Sequence, residues 1–342
     1  MSAQDDERSD DTPTQVRLSK LPSGVPDEST WRFTHDPTPE PADGEVTLRI
    51  EWLSVDPAMV GWITPKKSYI EAVPEGEVMR AFGLGRVVAS RSPRLSVGDY
   101  AFGFTGVQTE ATMNAMMLRP IDPSIAPLEK QMGGLGMTGF TAYFGLLDLG
   151  QPKEGETVVV SAAAGAVGSV AVQVAKIHGC RVVGVAGGPE KCAYVKDELG
   201  ADVVVDYKND NVPEALATAT PKGVDVYFDN VGGEVLDATL MLLNRHARIV
   251  LCGAVSQYAN PGGVMQGPSN YLQITTQSAK LFGFTMRDYL HRVPEALQDL
   301  SKWMDEGRLT TREHILEGIE CFPSAVKMIF AGENRGKLLI RI

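Results

Sequence analysis

Residues 157–168 read TVVVSAAAGAVG. A β-branched run flows into small residues and glycines, and then into a helix-like stretch that continues through Lys176. A strand that ends without bulk lets backbone N–H groups approach a dinucleotide pyrophosphate, and the helix that follows presents its positive N-terminal end to the same charge. The turn itself is Ala163-Ala164-Gly165-Ala166-Val167-Gly168, which holds two of the three glycines of the G-x-G-x-x-G fingerprint, with Ala163 in the first place. Its surroundings strengthen it. Val167, Val170, Val174 and Ile177 fall on one side of the following helix, and a second strand, 181–186, comes at βαβ spacing. A glycine-rich turn that binds nothing is the alternative, and the complete βαβ context favours nucleotide binding.

Working outward, six strand candidates alternate with helices after about Pro127: 157–162, 181–186, 201–207, 224–230, 247–254 and 280–286. This alternation predicts a six-stranded doubly wound parallel sheet, an α/β fold. Ahead of it, from Thr14 to about Ile121, short alternating runs such as 46–52 and 83–88 are broken by proline and glycine at intervals that suit a small antiparallel barrel. A helix-like run, 323–331, and a strand, 336–342, close the chain and return to that first domain. The expected division is therefore a disordered acidic tail, 1–13; a barrel domain, 14–126 with 309–342; and a dinucleotide-binding domain, 127–308.

Composition narrows the function. The 342 residues are 43% hydrophobic and 22% charged, ordinary for a globular protein with a sizeable core. The balance of 32 basic against 43 acidic residues gives −11 with no basic cluster, which argues against nucleic acid or an anionic membrane as partner. The acidic opening MSAQDDERSDD is unlike a signal peptide and no apolar run spans a bilayer, so a cytoplasmic protein is expected. Cys180, Cys192, Cys252 and Cys321 are scattered singly and read as small core residues. The five histidines form no metal-like cluster, and no catalytic metal is expected.

Ligands in an open parallel sheet sit beyond the carboxyl ends of the strands. No acid ends the second strand, where an NAD site carries one for the ribose 2′-hydroxyl; Gly187-Gly188-Pro189-Glu190-Lys191 follows instead. Lys191 and Tyr207 could give a 2′-phosphate a cation and a phenolic donor, so NADPH is the expected cofactor. The alternative makes Lys191 an ordinary solvated lysine. Asn230 and the loop 252–258 lie where a nicotinamide ribose would reach, although Asn and Gly are also common turn residues.

Taken together, MTGFTAYFGL (137–146), VSAAAGAVGS (160–169), the Lys191 and Tyr207 pair, FDNVGG (228–233), CGAVSQY (252–258) and ENRGKLLI (333–340) resemble the zinc-independent medium-chain dehydrogenases/reductases. That family includes prostaglandin reductases (leukotriene B4 12-hydroxydehydrogenases), alkenal double-bond reductases and curcumin reductases. The resemblance runs from about Thr14 to Ile342. It implies a GroES-like β-barrel joined to a Rossmann domain, a homodimer, and NADPH-dependent reduction of the double bond of α,β-unsaturated carbonyls, which would be the small-molecule partner. Its cofactor positions fall on Gly165, Ala166, Val167, Gly168, Gly188, Lys191, Tyr207, Asn230, Cys252, Gly253, Tyr258, Phe284, Thr285, Met286 and Asn334, with Met137 and Thr138 beside the nicotinamide. The zinc-ligating cysteine of metal-dependent relatives has no counterpart in 54–59, SVDPAM.

The departures concern substrate. Where relatives often carry N-P-Y-M-R-G-R-M, residues 56–63 read DPAMVGWI, and S-Y-x-P-P survives only as Ser68-Tyr69. Hydride addition to the β-carbon of an enone leaves negative charge on the carbonyl oxygen, which calls for a donor at that point. Tyr258 is the candidate catalytic residue; it either donates there or only packs against the cofactor. Trp62, Tyr69, Met265 and Met286 either line the substrate or are plain packing. Two other readings stand beside the ene-reductase: an NADPH quinone reductase and a non-catalytic NADPH-binding protein.

Overall fold

The computed structural model describes residues 12–64, 70–258 and 266–342. Most of the expected acidic tail, and the substrate candidates Tyr69 and Met265, lie outside the described residues.

Two compact units emerge. One comprises Met1–Ser124, Ile315–Lys327 and Leu339–Ile342; the other comprises Ile125–His314 and Met328–Leu338. In the first, the strand Glu45–Ser54 is the spine. It pairs antiparallel with Phe82–Ser90, with Glu110–Asn114 and, at residues Leu339 to Arg341, with the last strand of the chain. Alternation explains its role: Val46, Leu48 and Ile50 are buried while Arg49 between them is exposed. Register shifts between Thr47 and Leu48 and between Ile50 and Trp52 bend the strand, which lets it serve several partners.

The second unit carries the six strand candidates as β1 (Thr157–Val160), β2 (Arg181–Ala186), β3 (Val203–Asp206), β4 (Val224–Asp229), β5 (Leu243–Leu251) and β6 (Lys280–Gly283). Among the described residues they form one six-stranded parallel sheet in the order β3-β2-β1-β4-β5-β6. β1 is buried at all four residues, as a central parallel strand covered on both faces must be. Helices α1 (Met137–Phe144), α2 (Gly168–Ile177), α3 (Pro189–Ala193), α4 (Val212–Ala219), α5 (Gly233–Leu240) and α6 (Val293–Asp305) cover the faces. Val170 and Val174 of α2 are fully buried in the core, with Val167 and Ile177 packed at its margin.

Differences from expectation lie at element ends. β5 begins four residues early and stops at Leu251, and β6 stops at Gly283, because the residues beyond turn into loops. Residues 328–338 group with the α/β unit: Lys337 N–H donates to the Arg312 carbonyl (2.9 Å) and Gly336 bridges Gly165. Of the four cysteines only Cys180 is buried; the other three are half-buried. Among the described residues, no helix is long and apolar enough to cross a membrane.

Candidate functional site

The strand order reverses direction at β1 and β4, and in such sheets this switch point opens a crevice beyond the carboxyl ends. Residues immediately after β1 and β4 are tied together across it. Asn230 donates its backbone N–H to Ser161 Oγ (2.8 Å) and its carboxamide Nδ2 to the Ser161 carbonyl (2.7 Å). Beneath them, fully buried Asp229 accepts from Ser161 Oγ (2.9 Å), from the Tyr227 hydroxyl (2.7 Å) and from the backbone N–H groups of Val231 (2.9 Å) and Gly232 (3.0 Å). A buried carboxylate is tolerated when donors surround it, and these four hold both loop ends in one place. Burial and the facing Asp229 push the Tyr227 phenol well above its ordinary value, so it stays a donor.

The loop after β1 then makes a tight turn. Ala162 has φ +48°, the left-handed region that costs an alanine about 1 kcal/mol. Its carbonyl accepts from Gly165 N–H (2.9 Å). Gly168 opens α2 so close to that carbonyl that a Cβ would lie 2.2 Å from the oxygen, whereas one on Gly165 would lie 3.1 Å away. The backbone N–H groups of Val167 and Gly168 stand at the start of α2, where the helix dipole is positive.

Two more loops line the same end. After β5, Cys252 and Gly253 donate their N–H groups to the Asp229 carbonyl (2.8 and 3.1 Å), which anchors the loop beside Asn230. Tyr258 folds back so that its hydroxyl accepts the Ala254 N–H (3.1 Å), and Gly253 leaves room for it: a Cβ there would be 3.3 Å from that oxygen. After β6, Phe284 packs over Gly145, where a Cβ would meet its ring at 2.7 Å, and meets Tyr289 edge-on at 6.1 Å. Phe284 and Met286 join the main core, while the Thr285 hydroxyl faces Asp288 at 3.4 Å. Met137 and Thr138 begin α1, half-buried, with the Thr138 hydroxyl bonded to the Gly133 carbonyl (3.0 Å).

A second corner forms beyond β2 and β3. Lys191 Nζ donates to the Gly332 carbonyl (2.9 Å), and the Tyr207 ring packs over Gly187, where a Cβ would lie 2.6 Å from it. Gly188 holds φ +87°, so a residue with a side chain would be strained at this point. Burial, and then the neighbouring Lys208 charge, depress the Lys191 ammonium from its ordinary value, while Glu190 opposes them. A half-buried cation whose hydrogen bond goes to a carbonyl rather than a carboxylate is suited to an anion. The segment Gly332–Gly336 runs from this corner to the glycine turn: Asn334 Nδ2 donates to the Gly336 carbonyl (2.8 Å), and Gly336 bridges Gly165.

Sequence reasoning missed Ser161, Asp229 and Asp206. The last ends β3 and accepts from Gly188 N–H (2.7 Å), so an acid near this corner orders the loop. In the antiparallel unit Trp62 is 4% exposed and packs edge-on against Phe82 (6.0 Å) and Phe104 (5.6 Å). Among the described residues no group of three His, Cys, Asp or Glu side chains is placed to hold a metal ion.

The loops that follow β1 to β6 at the carboxyl end of the parallel sheet thus carry most of the sequence-predicted cofactor positions, and they fit a phosphorylated dinucleotide. The cradle at Gly168 admits no Cβ, the first amides of α2 lie at the turn, and a partly desolvated lysine with a phenol stands at the far corner.

Known proteins agree. The family described as "N-terminal domain of oxidoreductase" matches residues 14–121, and "Zinc-binding dehydrogenase" matches 166–303. The chain is similar to an NADPH-dependent curcumin reductase of Escherichia coli, 41% identical over 329 residues and 95% of each chain. It is also similar to a 2-alkenal reductase (NADP(+)-dependent) of Nicotiana tabacum, 34% identical over 335 residues, 96% of this chain and 97% of the other. Among solved structures, CurA from Vibrio vulnificus in complex with NADPH superposes with a TM-score of 0.90 at 41% identity, covering 96% of this chain and 98% of that one.

Proposed function

Because the chain belongs to the medium-chain dehydrogenase/reductase family and is an NADP-dependent oxidoreductase, we propose that it reduces the carbon–carbon double bond of α,β-unsaturated aldehydes and ketones. The observation that carries the reading is the pairing of the Gly168 cradle with the Lys191 and Tyr207 corner at one end of the sheet, a crevice suited to a coenzyme with an extra phosphate.

When bound, NADPH supplies the hydride. The amides of Ala166, Val167 and Gly168 would hold the pyrophosphate, and Lys191 with Tyr207 would hold the 2′-phosphate. Asn230 acts through its bonds to Ser161, keeping the two loop ends at a fixed separation. Tyr258 accepts the Ala254 N–H on its oxygen, which fixes the phenol at the loop after β5. A tyrosine hydroxyl can donate to the enolate oxygen that develops when the β-carbon accepts hydride. The same hydroxyl can pass its proton on toward the α-carbon. Phe284, Thr285, Met286, Met137, Thr138, Cys252, Gly253 and Asn334 complete the coenzyme's surroundings.

The proposal includes a homodimer in the cytoplasm, which light scattering after size exclusion and cell fractionation would check. NADPH oxidation followed with an enal, an enone, a quinone and no acceptor tests the main reading. Turnover with enal or enone, at least tenfold above quinone, is expected. Faster turnover of the quinone would make it a quinone reductase, and tight NADPH binding with no turnover of any acceptor a non-catalytic binder.

A further inference from the structure

Beside Lys191 stands a carboxylate that works against the site. Glu190 precedes Lys191 on α3, is exposed, and its charge reaches the Lys191 ammonium. A negative charge there repels any second anion that Lys191 would hold. Yet Glu190 is paired: Arg335 Nη2 lies 2.9 Å from its Oε2, although the two are 145 residues apart in sequence.

Arg335 reaches Glu190 because its segment is pinned at both ends. At one end the Gly332 carbonyl takes the Lys191 hydrogen bond, and at the other Gly336 bridges Gly165 and is pressed on the Arg312 carbonyl, 2.0 Å from where its Cβ would be. An exposed ion pair contributes little to stability, at most about 1 kcal/mol, so holding the chain together is a poor account of this placement.

We infer that Arg335 is a specificity-determining residue for the phosphorylated coenzyme, acting through Glu190 by cancelling its charge beside Lys191. This rests on the reading that Lys191 holds the 2′-phosphate. An unphosphorylated coenzyme brings no charge to that corner and is indifferent to Glu190. A 2′-phosphate brings up to two negative charges and feels the carboxylate fully once Arg335 is removed.

The test measures Kd for NADPH and for NADH by fluorescence titration on the full chain, with Arg335→Ala, Glu190→Gln, the double variant and Lys191→Ala. Arg335→Ala is expected to weaken NADPH about three- to eightfold at low ionic strength and NADH less than 1.5-fold, with the difference shrinking toward 1 M NaCl. The double variant is expected to bind NADPH within twofold of the parent chain. Arg335→Ala weakening both coenzymes alike, or neither, would overturn the inference. So would a double variant as weak as Arg335→Ala, since Arg335 would then touch the phosphate itself. If Lys191→Ala left the NADPH to NADH ratio unchanged, the 2′-phosphate reading would fail and the inference with it.

Discussion

Replacing Gly168 by alanine probes the crevice with one methyl group. The new Cβ would lie 2.2 Å from the Ala162 oxygen, 2.9 Å from its carbon and 3.0 Å from Ala163 Cα, all backbone atoms. Reaching ordinary contact near 3.4 Å requires a movement of about 1.2 Å, and neither side yields easily. Ala162 is already at φ +48°, and eight of the ten residues of α2 are buried. Overpacking of this kind costs about 1–3 kcal/mol, a melting-temperature loss of about 1–4 °C for a chain of this size. Binding should suffer more than stability, because the displaced amides are those proposed to meet the pyrophosphate; a misplacement of about 1 Å can cost about a hundredfold. We expect the NADPH Kd to rise at least about thirtyfold, measured by fluorescence titration beside thermal melts. Gly165→Ala, with 3.1 Å available, should lose less than about 1 kcal/mol, and Gly61→Ala, with nothing within 4 Å, should melt like the parent. A Gly168→Ala chain with the parent's melting temperature and NADPH affinity would refute the cradle.

Other expectations are as direct. Ser161→Ala removes a donor from buried Asp229 and the acceptor of the Asn230 N–H, and should cost about 1–3 kcal/mol in denaturant unfolding. Tyr258→Phe should lower kcat with an enone about ten- to a hundredfold while the NADPH Kd stays within twofold; the reverse pattern would make the phenol a coenzyme-orienting group. Burial, and nearby carboxylates after it, push the thiols of Cys180, Cys192 and Cys321 up to about 11 and of Cys252 up to about 12. Under the proposed activity on electrophilic alkenals the protein should therefore resist its own substrates: mass spectrometry after excess acrolein at pH 7.5 should find every thiol slower than free glutathione. Burial raises the carboxyls of Asp202 and Glu156, but bonds from Val182 N–H and Lys176 to the first, and from Arg248 to the second, bring both below their ordinary 3.8 and 4.5. Stability from these groups is complete above those values and is lost as pH falls through the lower folded ones, so Lys176→Met should flatten the acid limb of melting temperature against pH.

Much of the fold was legible because its causes are local. Alternation between branched residues and glycine punctuation marks strands and turns within a dozen residues, so β2 was placed to the residue and the others to within a few. Element ends were harder to read: Ala201 and Ala254 continue an apolar pattern, but each lies where the backbone has already turned. The candidate site was legible as a set of loops, each following a strand. Its wiring was not.

Residues 157–168 alone determine that a buried strand, a tight small-residue turn and a helix follow one another, because sterics and side-chain period act between near neighbours. Only the assembled sheet decides that β4 lies next to β1, and hence that Asp229 rather than a residue of the turn fixes Ser161. Tertiary structure likewise brings Gly332 to Lys191 across 141 positions and Arg335 to Glu190 across 145. Neither pairing leaves a local trace, since a hydrogen bond or an ion pair depends on separation in space, which strand order and the return of the chain's end set together.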